Sequence, residues 1–540
     1  MQIKEKCIGK GEDDRVKICM LKKVLWGILA TMLFLSGCGS PAVENSNETG
    51  EKQSAKAKIV RLEGGDYGLP QPYTTHSRGP GRYKVNLIFD KLIEKDEKGY
   101  IPWLAESWET SEDGREYHFK LQENVQWHDG EAFTAEDVAF TLEYAKTFKP
   151  VVSSAHLMDN EFVKEVEVLD THQLRIILGE PSPIFIEELY SISIIPKHIW
   201  EGIEAPETFT EPESLVGTGP YRLTHYEQEH GTYRFEASDH FWGPNQKVDV
   251  IEFVPVSDPV LALQNGEIHL SDIPMDSLAR FREDKMFQLV EKPGVWGYRL
   301  RFNMENRPEL SNRSIRRAMA YAIDRESLVE KIARGAAIPG SMGILPPDHL
   351  WYHPNLPAYE YSVDQAMAKL AESEWQEGTL SFELLTGEDQ EVRMGELIRE
   401  QLEDVGMEIT LRSMDSQSRD QIIADGQYEL VLVGHGGWAR DADYLRARFT
   451  DAEQNWVNSV PGYRNPQLME KLQEQIGILD EAKRRDKVME IQEMLAEEVP
   501  EIPLFLRTGY TVYHQDVYDG WMHVFDHHNM THNKLSYLER

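Results

Sequence analysis

Cys38, the last of only three cysteines in the chain, constrains the folding problem more than any other residue. It closes the run Leu35-Ser36-Gly37-Cys38, which follows Lys22, Lys23 and an apolar stretch over 24–35. A positive region, an apolar region of about 7–15 residues and a small-residue cleavage site make a secretory signal. A cysteine at the cut gives the order of a lipobox, in which the thiol receives a diacylglyceryl group and becomes the new N-terminus. The apolar stretch is too short for a bilayer, which needs about 20 apolar residues; an uncleaved signal anchor is the alternative. The expectation is a signal peptide over 1–37, with everything after Cys38 working outside the cytoplasm on a lipid tether. Cys7 and Cys19 lie upstream of the cut. The exported part then has no disulfide, no cysteine nucleophile and no thiolate metal site. About 500 residues can bury enough apolar surface to fold without such staples.

Residues 1–19 carry four acids and no hydrophobic run, whereas Met20-Leu21-Lys22-Lys23 opens a signal peptide cleanly. Translation is therefore expected to start at or near Met20, with Val16 as another candidate. Residues 39–57 are rich in Ser, Asn, Glu and Lys and read as a flexible tether. The 540-residue chain has a formal charge of −35, and the leader is itself basic, so the exported part is more acidic still. Such a surface repels nucleic acid and anionic headgroups, and solubility accounts for it without a cationic ligand.

Beyond Lys58 the signals are mixed α and β. Tyr117, Phe119 and Leu121 alternate as a strand before an Asp129-Gly130 turn. Thr134, with Asp137 three residues on, caps a helix bearing Val138, Leu142 and Ala145 on one face. A helix opening at Ser311 carries Ile315, Ala318, Met319, Ala322 and Ile323 at helical spacing. Met394, Leu397, Ile398, Leu402 and Val405 repeat that stripe, and Gly406 ends it. Strands follow at 407–411 and 428–433. Helix–strand alternation over 311–433 predicts an α/β lobe with an open sheet, and 59–295 is richer in short strands and turns.

Several motifs then carry a resemblance. Trp127-His128-Asp129-Gly130-Glu131-Ala132-Phe133-Thr134-Ala135-Glu136-Asp137-Val138 resembles the signature of the family 5 extracellular solute-binding proteins, the oligopeptide, dipeptide and nickel receptors of ABC importers. Gly217-Thr218-Gly219-Pro220-Tyr221, Ala262-Leu263-Gln264-Asn265-Gly266-Glu267, the run 315–325 and Glu498-Val499-Pro500-Glu501-Ile502-Pro503-Leu504 follow in the family's order. The resemblance runs from about residue 59 onward. It implies an α/β, two-lobed periplasmic-binding-protein-like fold with a ligand cleft between the lobes, the first lobe enlarged by an extra subdomain. Lobe one would combine 58–296 with 506–540, and lobe two would be 297–505, with crossings near 293–303 and 500–506. It further implies a monomer without cofactor, held on the outer face of a Gram-positive membrane or on the periplasmic side. Such a receptor captures peptides and delivers them to ABC permease subunits.

In peptide-binding relatives an aspartate on a loop of lobe two holds the ligand's ammonium. The matching segment here is 434–445, where Asp441 or Asp443 would bind and Trp438 would supply a flat apolar wall. The usual Asp-Pro is missing and Arg440 sits beside the acids, so an ordinary Arg–Asp pair in a surface turn competes with this reading. The facing loop would run from Gly64 through Tyr67 and Tyr73 to Arg78, whose guanidinium suits a ligand carboxylate. A plain turn with a solvated Arg78 is the alternative. His523/His527 and His528/His532 have i, i+4 spacing, which keeps a transition-metal site and the nickel branch open; incidental clustering is the competing explanation. No G-x-S-x-G, H-E-x-x-H, phosphate-binding loop or dinucleotide fingerprint is present, so no enzyme is expected. A metal-chelate receptor, a secreted hydrolase and a receptor-like sensor remain the alternatives.

The anchor is directly testable. Removing residues 1–37 and replacing Cys38 with Ser should yield a soluble, folded monomer in sedimentation and membrane-partition assays. Partition with membranes after a salt wash would overturn a lipid-only tether.

Overall fold

A computed structural model describes residues 58–75, 81–151, 157, 159–375, 378–436, 441–449, 460–522 and 532–540. The leader, Cys38 and the tether lie outside them. No helix of the described residues is long and apolar enough to cross a membrane.

Most expected elements are present, with shifted edges. The strand around Tyr117 is Glu116–Leu121. Thr134 and Asp137 form a reciprocal capping box at the start of helix Ala135–Thr147. The helix expected from Ser311 begins at Arg313, because the Asn312 side chain accepts from the Ser314 N–H and a short 3₁₀ turn, Pro308–Ser311, precedes it. Helix Gln390–Glu403 buries Met394, Ile398 and Leu402, and Gly406 turns the chain at φ 83°.

The architecture turns on two long strands, Phe287–Phe302 and Glu501–His514, paired antiparallel from Phe287↔His514 to Arg301↔Glu501. They form the middle of one sheet. At one end, Leu270–Ile273 pairs with the return strand. At the other, Leu430–Gly436 pairs antiparallel with the outgoing strand, and Ser381–Thr386 and Glu408–Ser413 continue the sheet in parallel. The pairing of the long strands breaks between Lys292 and Trp296. On one side of that break the core draws on residues from Tyr298 to Leu506. On the other side, separate clusters draw on 60–287 and 512–538. These are built on two four-stranded sheets, one of Ile59–Glu63, Val250–Val254, Thr232–Ala237 and Tyr221–Glu227, the other of Ala105–Thr110, Glu116–Leu121, Gln173–Leu178 and Val163–Asp170. The fold is mixed α/β and two-lobed.

The motifs of the resemblance find one another in space. His128 meets the Gly217–Gly219 turn: its Nε2–H donates to the Gly219 carbonyl at 2.9 Å, and its Nδ1 accepts the Gly217 N–H at 3.3 Å. Those bonds require the neutral ring. Burial pushes its pKa down to about 4, against the favourable Gly219 bond. Arg316 donates to the Leu310, Glu498 and Val499 carbonyls, tying the 315–325 motif to the 498–504 motif. The His514 ring bonds the Leu263 carbonyl at 2.7 Å, securing the 262–267 motif to the return strand. Lys534 is buried between Asp90 and Glu94, each at 2.5 Å. Burial opposes its charge, but the two carboxylates outweigh it and raise its pKa. Asp90 also accepts from Thr218, Trp103 and Trp242.

Because His128 binds its proton less readily folded than unfolded, stability should fall as pH drops from about 6.5 towards 4. Replacing it with Gln removes that titration. The wild-type protein should lose roughly 3 kcal/mol more than the variant between pH 7 and pH 4 in urea melts. Parallel stability curves would contradict a neutral clamp.

Candidate functional site

In open α/β sheets, ligand sites form outside the carboxyl ends of the parallel strands. Here those ends belong to Ser381–Thr386, Glu408–Ser413 and Leu430–Gly436, and the end of Leu430–Gly436 lies beside the break in the long strands. Gly436 pairs with Trp296, which in turn pairs with Arg507, so the three lie in one row across the sheet. Gly434 leaves space for the Trp296 ring, which lies 3.0 Å from where a Cβ would stand. Gly297 is more restricted: a Cβ there would meet the Phe505 carbonyl oxygen at 1.8 Å.

Ion pairs hold this edge. After Thr386 the Gly387 N–H donates to Glu391 at 2.6 Å, and Glu391 pairs with Arg419 at 2.5 Å. Helix Asp443–Phe449 is anchored by Arg448, which donates to the buried Glu501 at 2.5 Å; Glu501 also accepts from Arg299 at 3.1 Å. The segment after Gly436 is thus delivered between fixed points.

Trp438 and Arg440 of that segment lie outside the described residues, as do Arg78, His523, His527 and His528. Asp441 is partly buried and forms a fork with Arg484: Nη1 donates to Oδ2 at 2.6 Å and Nη2 to Oδ1 at 2.5 Å. Its Oδ1 also accepts the Asp443 N–H. Arg484 lies over the Trp351 ring, 5.0 Å from its centroid. Asp443 is buried and takes both Nε and Nη2 of Arg446, with Gln475 donating at 2.9 Å. Both aspartates therefore have arginine partners that the sequence reading missed. Arg484 lies 43 residues from Asp441, and no local signal marks such a pair.

In the other lobe, Asp66 accepts from Tyr226 at 2.7 Å and from the Gly68 N–H at 3.0 Å. The Tyr67 N–H donates to the Tyr233 hydroxyl, which donates onward to the Gly68 carbonyl, so the loop is fastened to the sheet. Tyr73 is buried, its ring 5.8 Å from Tyr144 and 5.4 Å from Trp200, and the pKa of its hydroxyl is raised by burial. Its ring is taken up by core packing. Beneath Tyr67 sits Lys84, enclosed by the rings of Phe253 at 4.0 Å, Tyr67 at 4.6 Å and Tyr233 at 4.8 Å. Its Nζ has no hydrogen-bond partner among the described residues, and burial lowers its pKa to about 7 despite nearby Asp66. His532 packs edge-on against Tyr83. Among the described residues, acids and histidine close enough to share an ion are Glu227, Glu229 and the exposed His230, which is already bonded to Glu227.

The family description "Bacterial extracellular solute-binding proteins, family 5 Middle" matches residues 99–456. The chain belongs to this family, whose members are the solute-binding receptors of ABC importers. It is 27% identical over 425 residues to the dipeptide-binding protein of Escherichia coli K12, covering 72% of this chain and 77% of that protein. Its fold is similar to that of NikZ from Campylobacter jejuni in complex with Ni(L-His), with a TM-score of 0.70, 24% identity and coverage of 85% and 94%. It is also similar to AppA from Bacillus subtilis in complex with a nonapeptide, with a TM-score of 0.72, 20% identity and coverage of 90% and 100%. The family is one of binding proteins that act outside the cytoplasm.

Lys84 makes a prediction of its own. An ammonium that binds its proton less tightly when folded destabilises the fold at neutral pH, and the penalty fades as pH rises from about 7 towards 10.5. Replacing Lys84 with Met should stabilise the protein at pH 7 by about 1–3 kcal/mol. It should also remove most of the difference between pH 7 and pH 10, read from chemical denaturation. An unchanged pH slope would show that Lys84 stays charged in its cage.

Proposed function

We propose that this receptor is lipid-anchored through Cys38, captures peptides between its lobes and hands them to the permease subunits of an ABC importer. Lobe one is 58–296 with 506–540, and lobe two is 297–505. The observation that carries the peptide reading is Asp441, a partly buried carboxylate held in a fixed orientation by Arg484, in the sequence segment that follows strand Leu430–Gly436. A carboxylate offers about four acceptor positions, and Arg484 and the Asp443 N–H occupy three at Asp441. The remaining position on Oδ2 suits a ligand ammonium. Asp443 is buried and bonded to its own helix and to Gln475, so its role is to hold the segment in shape. Tyr67 and Arg78 contribute from lobe one, and Trp438 and Arg440 from the segment before Asp441. The dipeptide-binding relative and the nonapeptide-bound neighbour support the ligand class.

Titration with Ala-Ala-Ala, read by tryptophan fluorescence, tests this reading. Replacing Asp441 with Asn should weaken binding by about 30-fold or more, as loss of a buried charge partner does. Replacing Asp443 with Asn should lower the melting temperature while changing affinity by less than about threefold. N-acetylation of the peptide should weaken binding to the wild type and add little further loss in the Asp441→Asn variant. Indifference to acetylation, together with binding abolished by a chelator, would favour a metal-chelate receptor instead.

A further inference from the structure

Five arginines around the carboxyl edge have carboxylate partners: Arg419 with Glu391, Arg446 with Asp443, Arg448 and Arg299 with Glu501, Arg484 with Asp441. Arg507 has no such partner among the described residues. It is exposed on the return strand, and its guanidinium lies 5.1 Å from the Trp296 ring centroid and 5.3 Å from that of Tyr298. Its polar contact is to the Gln390 side-chain oxygen, a neutral acceptor at the start of helix Gln390–Glu403. Gln390 in turn donates to the Ile332 carbonyl. Two rings and an amide therefore fix the plane of this guanidinium without neutralising it. In a chain of formal charge −35 acids are abundant, yet none of the described ones is paired with it. Its row in the sheet, Gly436–Trp296–Arg507, puts it where the chain passes between lobes, separated only by the outgoing strand from Leu430–Gly436, the strand that leads to Asp441.

We propose that Arg507 is a specificity-determining residue that receives a carboxylate of the bound solute. The stacked guanidinium presents a preorganised fork, the donor geometry that matches a carboxylate in a bidentate pair. Aromatic support lowers the cost of ordering the long side chain, which is a main charge against such contacts. The inference rests on the reading of this crossing as the ligand site, and it narrows the ligand class to anions and zwitterions. The carboxylate has two sources in a peptide, the C-terminus or an acidic side chain.

Two measurements on the exported protein separate the inference from the peptide reading. In the first, Ala-Ala-Ala, its C-terminal amide and the amide of Ala-Glu-Ala are titrated into the wild type and into Arg507→Gln. Recognition of the terminus predicts that amidation weakens the wild type by about 30-fold or more, with little further loss in Arg507→Gln. Recovery with the Ala-Glu-Ala amide would assign the contact to a side chain. Arg507→Lys, which keeps the charge without the fork, should bind between the two. In the second, the Nε–Hε resonance of Arg507 in [15N]arginine-labelled wild type is followed while N-acetylglycine or N-acetylglycinamide is added at millimolar concentration. A shift with the acid alone supports the inference even if no peptide binds, and in that case the peptide reading fails by itself. Equal peptide affinities in wild type and Arg507→Gln, or a resonance that no carboxylate moves, overturn the inference and leave peptide capture standing.

Discussion

Everything in this molecule is referred to the register of two antiparallel strands, Phe287–Phe302 and Glu501–His514. A slip of one residue would turn every side chain to the opposite face. The register is pinned on the Trp296 side of its break. Gly297 lies so close to the Phe505 carbonyl that no side chain fits, and Glu501 is shared between Arg299 of one strand and Arg448 of the helix beyond. Between these pins and Lys292 the pairing lapses, and there the apolar clusters also part company. Packed cores resist deformation, so relative motion concentrates where packing is interrupted. A two-lobed receptor needs its flexibility confined to such a place.

Buried charge serves placement rather than bulk stability in this fold. Desolvating an ion pair costs about as much as the pair returns, so these contacts add little net free energy. Breaking one leaves an uncompensated charge, however, and that asymmetry makes them effective locators. Lys534 between Asp90 and Glu94 fixes the final segment to the first lobe, and Arg484 with Asp441 fixes the end of the segment that follows Gly436. Lys84 is the counter-example. Its cage supplies ring faces but no acceptor among the described residues, and the group responds by giving up its proton more readily.

Much of the fold was legible in the sequence because it rests on local rules. The capping box at Thr134 and the apolar stripe ending at Gly406 follow from short-range spacing alone. The start of the helix near 311 was read two residues early, because Asn312 rather than Ser311 provides the cap. The family motifs marked the fold correctly, but His128 and Arg316 turn out to bind backbone carbonyls between distant segments, as scaffolding. Long-range chemistry was not legible. The partners of Asp441 and Asp443, the burial of Tyr73 and the stacking of Arg507 on Trp296 each join segments whose proximity only the sheet topology creates.

The Lys534 contact also imposes an order of assembly. It joins residues 444 positions apart, so the interior around Asp90 stays incomplete until almost the whole polypeptide is available. The core between Tyr298 and Leu506 has no such dependence, since it is assembled from one uninterrupted stretch of chain. Contacts distant in sequence are slow to form because the intervening loop must first be closed. On that ground the core between Tyr298 and Leu506 can close without the rest of the chain, whereas the interior around Asp90 is completed only when Lys534 is in place.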